Sequence, residues 1–298
     1  MGAMSEPVAP ADGHPFRRVG VVAKGASQEA LRTAAELDEW LERRGVEAVL
    51  DEAILRFCGD PPGRPAFTSD TPADLVVVLG GDGTLLSVAR SLRRPVPILG
   101  VNMGSLGFLT EIPRTELYPE LVRVLAGQFT LEERSLLRVE LRRADGGETA
   151  VFRVLNDAVI GKSALARIIE LTLTVDGNPV GDFRADGLIV STPTGSTAYN
   201  LSAGGPILYP QLPVTVITPI CPHTLSMRPL VVPDTSLLEV TLQTQREEVY
   251  LTLDGQEGTP LSDRDRVLIH RGRDVVHLVK VAGRSFYESL RDKLRWGG

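Results

Sequence analysis

Cysteine, histidine and aromatic residues are scarce in this chain of 298 residues, which has two cysteines, four histidines and 5% aromatic residues. Cys58 and Cys221 are far apart in the sequence, and neither belongs to a CxxC pair or to a cluster of cysteine and histidine. The sequence therefore predicts neither a disulfide scaffold nor a structural zinc site. Free thiols are typical of a protein of the reducing cytoplasm, which is the location that we expect.

Long apolar runs and an excess of positive charge are also missing. No run approaches the roughly 18 apolar residues of a membrane span, so no membrane partner is expected. Lysine and arginine number 32 against 38 aspartate and glutamate residues, a net charge of −6, which argues against a nucleic-acid partner. Residues 1–16 are mostly small or polar and have no hydrophobic signal core, and we expect them to form a disordered leader.

Strands and helices alternate in the first half of the chain. Strands are expected over residues 18–23, 46–50, 74–79 and 97–102, helices over 27–44, 84–92 and 115–126, and glycine-rich turns at 80–84 and 102–107. This alternation implies a doubly wound parallel sheet, whose ligand crevice lies beyond the carboxyl ends of its strands. We therefore expect an α/β domain over residues 17–130, with both glycine-rich turns at that edge of the sheet.

The first of these turns is a candidate site. An apolar strand leads directly into Gly80, Gly81, Asp82, Gly83 and Thr84, and a helix follows. Glycines let a phosphate approach the backbone, and the N-terminus of a helix favours negative charge. A carboxylate beside a phosphate is unfavourable unless it bridges a metal or accepts a proton, so Asp82 is a candidate for chemistry. The alternative is that Asp82 only caps the helix.

The second half of the chain alternates polar and apolar residues in the manner of β-strands. Strands are expected over residues 136–142, 149–161, 168–175, 187–191, 214–218, 237–244, 248–253, 266–270 and 275–281. We therefore predict an all-β sandwich over residues 131–283. A last helix, residues 285–294, carries Phe286, Leu290 and Leu294 on one face. We expect it to dock on the α/β domain, which residues 284–298 would complete.

A second candidate site is the segment from Thr192 to Pro206, which is dense in hydroxyl groups and small residues. It contains Tyr199 and follows Arg184 and Asp186 in the sequence. Hydroxyl and backbone N–H groups at this density suit a polar ligand such as a nucleotide, and Tyr199 offers an aromatic face. A plain loop rich in serine and threonine is the alternative, but the length of the segment and its charged flanks favour a binding site.

Several segments together resemble the NAD kinase family. They are GGDGT at 80–84, NMGSLGF at 102–108, the segment 186–206, PHTLSMRP at 222–229 and DGQ at 254–256. Their order and spacing match that family from about Arg17 to Gly298. GGDG alone is shared with lipid kinases and phosphofructokinase-type kinases, whereas the segment around Tyr199 together with PHTLSMRP and DGQ is highly specific.

The resemblance implies an NAD kinase, which transfers the γ-phosphate of ATP to the 2′-hydroxyl of the adenosine ribose of NAD with Asp82 as the general base. It implies a phosphate region of Gly80, Gly81, Gly83, Thr84 and Asn102, with Phe108 at its border, and an NAD site of Asp82, Gly83, Asn156, Asp157, Arg167, Arg184, Asp186, Thr197, Ala198, Tyr199, Asn200, Leu201, Ser202 and Gln256. Asp157 stands where glutamate is more usual, so its reach is shorter. No protein ligands for a metal are expected, because Mg²⁺ or another divalent cation is carried by the nucleotide.

Two other functions stay open at this point. A diacylglycerol- or sphingoid-type lipid kinase would share GGDGT and a β-rich second domain, but it would need an apolar acceptor pocket, whereas this candidate site is polar. A non-catalytic NAD(P) sensor would be expected to lose Asp82 before its binding residues. The sequence also leaves open whether polyphosphate replaces ATP, whether NADH is accepted, whether NADPH feeds back, and whether the chain forms a homodimer or a homotetramer.

Overall fold

The structure is a computed structural model that describes residues 16–164, 166–224, 226–243 and 247–295. These residues divide into two compact units: unit 1 holds those up to Glu133 and from Val276 on, and unit 2 holds Arg134–Val275. The predicted leader lies outside the described residues except for Phe16, which is buried with its ring centre 5.6 Å from that of Phe129. None of the helices in the described ranges has both the length and the apolar character needed to cross a membrane.

Strands and helices are numbered along the chain. The strands are β1 (Arg18–Ala23), β2 (Glu47–Leu50), β3 (Leu75–Gly80), β4 (Ile98–Asn102), β5 (Ile112–Pro113), β6 (Thr130–Arg142), β7 (Ala150–Val154), β8 (Asp157–Lys162), β9 (Ile169–Val175), β10 (Asn178–Ala185), β11 (Gly187–Ser191), β12 (Val214–Ile220), β13 (Leu230–Pro233), β14 (Leu238–Leu242), β15 (Val249–Leu253), β16 (Glu257–Leu261) and β17 (Arg266–Lys280). The helices are α1 (Gln28–Glu42), α2 (Glu52–Phe57), α3 (Asp82–Ser91), α4 (Leu117–Leu125), α5 (Tyr199–Ser202) and α6 (Phe286–Leu294), with 3₁₀ turns η1 (Arg114–Glu116) and η2 (Thr194–Thr197).

A parallel sheet with the strand order β2-β1-β3-β4 forms the centre of unit 1. β1 pairs with β2 and β3, and β3 pairs with β4, all in parallel. β5 and the end of β17 also pair in parallel with β4. Every residue of β3 and β4 is buried, as expected for central strands that are covered on both faces. The predicted doubly wound parallel sheet is confirmed.

Capping side chains set the helix boundaries in unit 1. Ser27 caps α1 by accepting a hydrogen bond from the N–H of Ala30 at 3.2 Å, and Gly45, with φ of +71°, follows the end of the helix. Asp51 caps α2, and burial raises the pKa of its carboxyl group. The sequence pattern does not predict α2, because its six residues are too few for helical periodicity to appear.

The C-terminal helix α6 packs within unit 1, as predicted. Ser285 and Glu288 form a capping box at its start, and Leu290 is buried. Just before the helix, Arg284 donates to the backbone carbonyl of Glu111 at 2.7 Å and to the carboxylate of Glu116 at 2.5 Å. These contacts anchor the start of α6 within unit 1.

Two antiparallel sheets form unit 2. One has the order β10-β9-β14-β17, with β6 paired to β17 and β7 paired to β6, and the other has the order β13-β12-β11-β8-β15-β16. Apolar side chains from both sheets form one core, which includes Val139, Leu171, Leu188 and Leu251. The predicted all-β sandwich is confirmed.

The prediction of one strand over residues 149–161 is wrong, because two strands of different sheets occupy that segment. β7 pairs with β6 in the first sheet, and β8 pairs with β11 and β15 in the second. Between them, the N–H groups of Leu155, Asn156 and Asp157 donate to the carboxylate of Asp254 instead of to a neighbouring strand. The polar residues Asn156 and Asp157 mark the junction, but a polar pair within an extended segment does not by itself show that the chain passes from one sheet to another.

Candidate active site

The turn between β3 and α3 carries the predicted phosphate region in unit 1. Gly80 ends β3, Gly81 is the N-cap residue of α3, and Asp82 is the first residue of the helix. The N-cap position of α3 is occupied by Gly81, so Asp82 is not the helix cap that the alternative interpretation proposed. A β-carbon at Gly80 would lie 2.5 Å from Oγ1 of Thr84, so a larger residue at this point would push the Thr84 side chain away.

Residues 108–110 hold the carboxylate of Asp82 with four hydrogen bonds. Oδ2 accepts from the N–H of Phe108 at 2.8 Å, and Oδ1 accepts from the N–H of Leu109 at 3.1 Å. Oδ1 also accepts from the N–H of Thr110 at 3.0 Å and from its hydroxyl at 2.9 Å. The Asp82 side chain nevertheless keeps 28% of its surface exposed. The carboxylate is therefore held in one orientation and still reachable by a ligand.

Asn102 braces the loop that supplies these donors. Its amide donates to the backbone carbonyl of Ser105 at 2.7 Å and to Oγ1 of Thr110 at 2.9 Å, and it accepts from the N–H of Gly104 at 2.7 Å. The residue is only 4% exposed. Asn102 therefore acts on the predicted phosphate region through the loop that it holds.

Lys293, in the last turn of α6, is the charged neighbour of Asp82. Its Nζ lies 3.9 Å from Oδ2 of Asp82 and 4.5 Å from the ring centre of Phe108. Sequence reasoning missed this residue, because the helix is recognisable only by its apolar face and nothing in the pattern links it to a turn near the other end of the chain.

Asp254 organises the predicted NAD site in unit 2. It lies in the tight turn between β15 and β16 with φ of +50°, and Gly255 follows with φ of +64°. Its carboxylate accepts from the N–H groups of Leu155 at 3.1 Å, Asn156 at 2.7 Å and Asp157 at 3.2 Å. These bonds fix the backbone where β7 gives way to β8 and leave the Asn156 residue partly exposed.

Asp157 is buried beside this second carboxylate. It is 3% exposed, and burial together with the negative charge of Asp254 raises the pKa of Asp157 to about 7. Near neutral pH the group is therefore divided between its neutral and ionised forms. The neutral form can donate a hydrogen bond to a ligand hydroxyl, and the ionised form can accept one.

We expect the ionisation of Asp157 to make the protein less stable as the pH rises towards 8. The group loses its proton near pH 3.8 in the unfolded chain and near 7 in the folded protein, so the folded protein holds an extra proton between these values. The stabilisation is fully present below pH 3.8 and is lost progressively as the pH rises to about 7, by on the order of 4 kcal/mol in all.

Urea unfolding of the wild type and of Asp157→Asn at about pH 5 and pH 8 measures the part of this loss that falls above pH 5, on the order of 3 kcal/mol. The free energy of unfolding of the variant minus that of the wild type should be larger at pH 8 than at pH 5, because asparagine does not ionise. Titrating groups that do not interact with Asp157 cancel in this comparison. The same difference between the two proteins at both pH values would contradict the prediction.

Residues 192–202 form a compact loop that packs against Asn156. Thr192 donates from its N–H to the backbone carbonyl of Asn156 at 2.9 Å and from Oγ1 to that of Leu155 at 2.6 Å. A β-carbon at Gly195 would lie 2.2 Å from the carbonyl oxygen of Asn156, so the close approach requires glycine. The structure thus brings the predicted loop and Asn156 together.

The predicted NAD-binding members of this loop differ in exposure. Tyr199 is 47% exposed and Ser202 is also exposed, whereas Thr197, Ala198 and Leu201 are partly buried. Asn200 is fully buried, and its amide donates to the backbone carbonyls of Ser196 and Pro206 and accepts from the hydroxyl of Thr218 at 2.6 Å. Asn200 therefore supports the loop, while Tyr199 and Ser202 have surface that a ligand can contact.

The charged residues predicted for the NAD site do not all lie together in unit 2. Asp186 and Tyr199 line one cavity of about 410 Å³ with Lys162, whose Nζ is 3.7 Å from Oδ1 of Asp186. Arg184 lines another cavity, of about 660 Å³, and its Nε is 3.2 Å from Oε1 of Glu170.

Two further members of the predicted site, Arg167 and Gln256, are exposed and line neither cavity. The backbone N–H of Arg167 donates to the carboxylate of Glu247 at 2.7 Å. That of Gln256 donates to the carbonyl of Leu253 at 3.0 Å and closes the turn after β15. Their side chains stand at the surface of the unit, where they would meet a ligand only from the solvent side.

Comparisons with known proteins identify the family of this chain. A family model described as the ATP-NAD kinase N-terminal domain matches residues 67–129, and one described as the ATP-NAD kinase C-terminal domain matches residues 155–281. The two matches contain GGDGT and DGQ and extend over more than half of the chain. The chain belongs to the NAD kinase family.

Individual members of the NAD kinase family match the chain over nearly its whole length. The NAD kinase of Geotalea daltonii is 50% identical over 285 residues, which are 95% of this chain and 99% of that protein. The NAD kinase of Solibacter usitatus is 46% identical over 283 residues, which are 95% of this chain and 98% of that protein.

Solved structures agree with this assignment. The crystal structure of an NAD kinase from Archaeoglobus fulgidus in complex with ATP has a TM-score of 0.71 and 27% identity, and it covers 94% of this chain and 100% of that one. The crystal structure of yeast NADH kinase complexed with NADH has a TM-score of 0.88, covering 95% of this chain and 89% of that one. At 24% identity, the yeast protein supports the fold alone.

Membership of the NAD kinase family removes the lipid kinase that the shared GGDG motif left open. Three residues that sequence reasoning did not assign contact residues of the predicted site. Thr110 and Asp254 each hold a predicted site residue by hydrogen bonds, and Lys293 lies beside Asp82. DGQ was part of the resemblance, so Asp254 had a signal in the sequence, whereas Thr110 and Lys293 had none.

Proposed function

We propose that this protein transfers the γ-phosphate of ATP to the 2′-hydroxyl of the adenosine ribose of NAD, giving NADP and ADP. The observation that carries the proposal is the carboxylate of Asp82, which is held by four hydrogen bonds at the start of helix α3. Family membership and nearly full coverage of known NAD kinases support the same activity.

In the proposed reaction, Asp82 is the general base. The 2′-oxygen attacks the γ-phosphorus, its bond to phosphorus forms, and the bond to the β,γ-bridging oxygen breaks as ADP leaves. The proton of the 2′-hydroxyl passes to a carboxylate oxygen of Asp82. Oδ2 accepts only one hydrogen bond from within the described residues, so it is the oxygen with room for this proton.

The phosphate region is proposed at the start of α3. Gly80, Gly81, Gly83 and Thr84 form the turn, and the N-terminal end of the helix presents the positive end of its dipole to the phosphates. The negative charge of Asp82 repels the phosphates, and the positive end of the helix dipole offsets part of this repulsion.

The metal that accompanies ATP is proposed to be Mg²⁺ or another divalent cation, and it would bind chiefly to the substrate phosphates. Within the described residues, no group of three or more histidine, cysteine, aspartate or glutamate side chains is arranged to hold a metal. Mg²⁺ in such sites is usually held by substrate phosphates together with one or two carboxylates, and Asp82 is the carboxylate of the proposed phosphate region. When bound, the cation neutralises phosphate charge.

The acceptor site is proposed in unit 2. Asn156 and Asp157 would take the ribose and nicotinamide-side groups, and residues 197–202 would contact the dinucleotide through their exposed members. Arg167, Arg184, Asp186 and Gln256 complete the proposed set. The backbone that Asp254 holds at residues 155–157 supports this assignment, because it presents Asn156 in one conformation.

The chain is further proposed to be a cytoplasmic homodimer or homotetramer. Val180 on β10, and Leu230 and Val231 on β13, are 52%, 40% and 44% exposed, and both strands are edges of their sheets. Exposed apolar side chains on edge strands favour association. Cys58 and Cys221 are free and exposed, which suits a reducing compartment. Light scattering after size exclusion would give the number of subunits.

Incubation of the purified protein with Mg²⁺, ATP and NAD tests the proposed activity. NADP is detected with a dehydrogenase that uses only NADP, and a reaction without ATP is the control. We expect NADP to form only when ATP is present. Formation from polyphosphate but not ATP would change the donor, and no NADP from a folded protein that binds NAD would favour the non-catalytic sensor.

A further inference from the structure

Lys293 lies in the proposed active site and has no role in the proton transfer to Asp82. Its ammonium lies between two groups of the proposed active site, 3.9 Å from Oδ2 of Asp82 and 4.5 Å from the ring centre of Phe108. The Phe108 backbone also donates to Oδ2 of Asp82 at 2.8 Å, so one residue contacts both the lysine and the carboxylate. The Lys293 side chain is 27% exposed and thus neither sealed in nor freely solvated.

Both sides of this contact are anchored within unit 1. The carboxylate is held by the donors of residues 108–110, and α6 is held by its capping box, by the buried Leu290 and by Arg284, which binds Glu116 at 2.5 Å. The ring of Phe108 attracts the cation and limits where it can move. The proximity of Lys293 to Asp82 is therefore built by two separate parts of the chain.

The N–H groups of Lys293 remain available to a further acceptor. A distance of 3.9 Å is too long for a hydrogen bond, so Asp82 attracts the ammonium without accepting its protons. Within the described ranges, the contacts of Lys293 are this ion pair and the ring of Phe108. An ammonium has three donors and no acceptor capacity, so the ligand that fits the gap is an anion with oxygen acceptors.

The proposed reaction brings such an anion to Asp82. The carboxylate takes the proton of the attacking hydroxyl, so the phosphorus that this hydroxyl attacks must come close to it. Negative charge on the equatorial oxygens of the transferred phosphoryl group then lies near a carboxylate that repels it. A cation beside Oδ2 offsets this repulsion at the point where it arises.

We propose that Lys293 binds the phosphoryl group that is being transferred, donating a hydrogen bond from Nζ to one of its oxygens. This proposal rests on the proposed function. Lys293 stays protonated throughout: the bond from phosphorus to the leaving ADP oxygen breaks, the bond to the 2′-oxygen forms, and the proton goes to Asp82. The residue thereby recognises the γ-phosphate of the donor and not the NAD acceptor.

Two variants of α6 test the assignment. Lys293→Met removes the ammonium and keeps the apolar stem, and Arg291→Met removes the same charge from an exposed residue of the same helix. We expect Lys293→Met to lower kcat by about 10²–10³-fold and to raise the KM for ATP, with the KM for NAD unchanged. Lys293→Arg should recover part of the loss, and Arg291→Met should stay within about twofold of the wild type.

Nucleotide binding without NAD provides a readout that a merely structural role would not move. Calorimetric titration with ATP and with ADP, both with Mg²⁺, should show weaker ATP binding in Lys293→Met and unchanged ADP binding, because only ATP carries the γ-phosphate. Equal weakening of both nucleotides, or no change in either, would overturn the proposal. If the wild type makes no NADP, the proposed function fails, while the comparison of ATP with ADP still decides whether Lys293 binds the terminal phosphate.

Discussion

Asp82→Asn is expected to lower kcat by about 10²–10⁴-fold, the usual contribution of a positioned general base. Asparagine has nearly the same shape as aspartate, but its amide cannot take the proton of the 2′-hydroxyl. NAD binding should remain, because the residues proposed to hold the dinucleotide lie mainly in unit 2. Steady-state kinetics with ATP and NAD give kcat, and a titration monitored by fluorescence or calorimetry gives NAD affinity.

The loop around Asp82 requires a control for this variant. The carboxylate accepts from Phe108, Leu109 and Thr110, so an amide nitrogen in place of one oxygen would face an N–H group and disturb the loop. Thr110→Val disturbs the same loop by removing the 2.9 Å bond from Oγ1 to Asp82 and the 2.9 Å bond that Oγ1 accepts from Asn102, but it keeps the carboxylate. We expect this variant to lose no more than about tenfold in kcat, because only one of these bonds reaches the carboxylate and three others still hold it.

The comparison of the two variants decides what Asp82 does. A large loss in Asp82→Asn with a small loss in Thr110→Val assigns the effect to the missing base. Equal losses would mean that the loop matters and the base does not, and unchanged turnover in Asp82→Asn would contradict the general-base assignment outright. Thermal unfolding of both variants shows whether either has lost stability.

Much of the fold is predictable because its signals are local. The buried run of β3 followed by glycines, the cap at Ser27 and the apolar face of the last helix each lie within one stretch of sequence, and all three elements form. The break between β7 and β8 is not local, because it depends on a carboxylate nearly a hundred residues further along the chain. Pattern reasoning joins the two strands for that reason.

The candidate site shows the same division. GGDGT and the loop around Tyr199 are continuous segments, so the sequence predicts their residues as a group. Which of them face a ligand depends on three-dimensional packing: Asn200 is fully buried while Tyr199 beside it is 47% exposed. Lys293 reaches Asp82 only because α6 folds back within unit 1, and no pattern in the sequence predicts that contact.

Gly107→Ala is expected to lower kcat by about 10²-fold without removing any catalytic group. A β-carbon at this position would lie 1.9 Å from Oδ1 of Asp82 and 2.4 Å from Oγ1 of Thr110, distances that no real structure tolerates. Oδ1 also accepts three of the four hydrogen bonds that orient the carboxylate. The side chain of Asp82 must therefore move, and a displacement of about 1 Å at a reacting group costs roughly this much in rate.

Gly104→Ala is the matched control in the same loop. A β-carbon there meets no atom within 4 Å, and alanine keeps the N–H that donates to Asn102. Its kcat should stay within about twofold of the wild type. If both alanine variants lost activity equally, the loss would come from a stiffer or altered loop and not from contact with Asp82.

Combining Gly107→Ala with Asp82→Asn separates displacement of the base from general damage. Once the base has been removed, there is no carboxylate left to misplace, so the alanine should cost far less in the Asp82→Asn background than in the wild type. Strictly additive losses, measured as kcat of the four proteins, would mean that Gly107 acts independently of Asp82. Non-additivity of about tenfold or more is expected, because the steric clash and the proton transfer involve the same carboxylate.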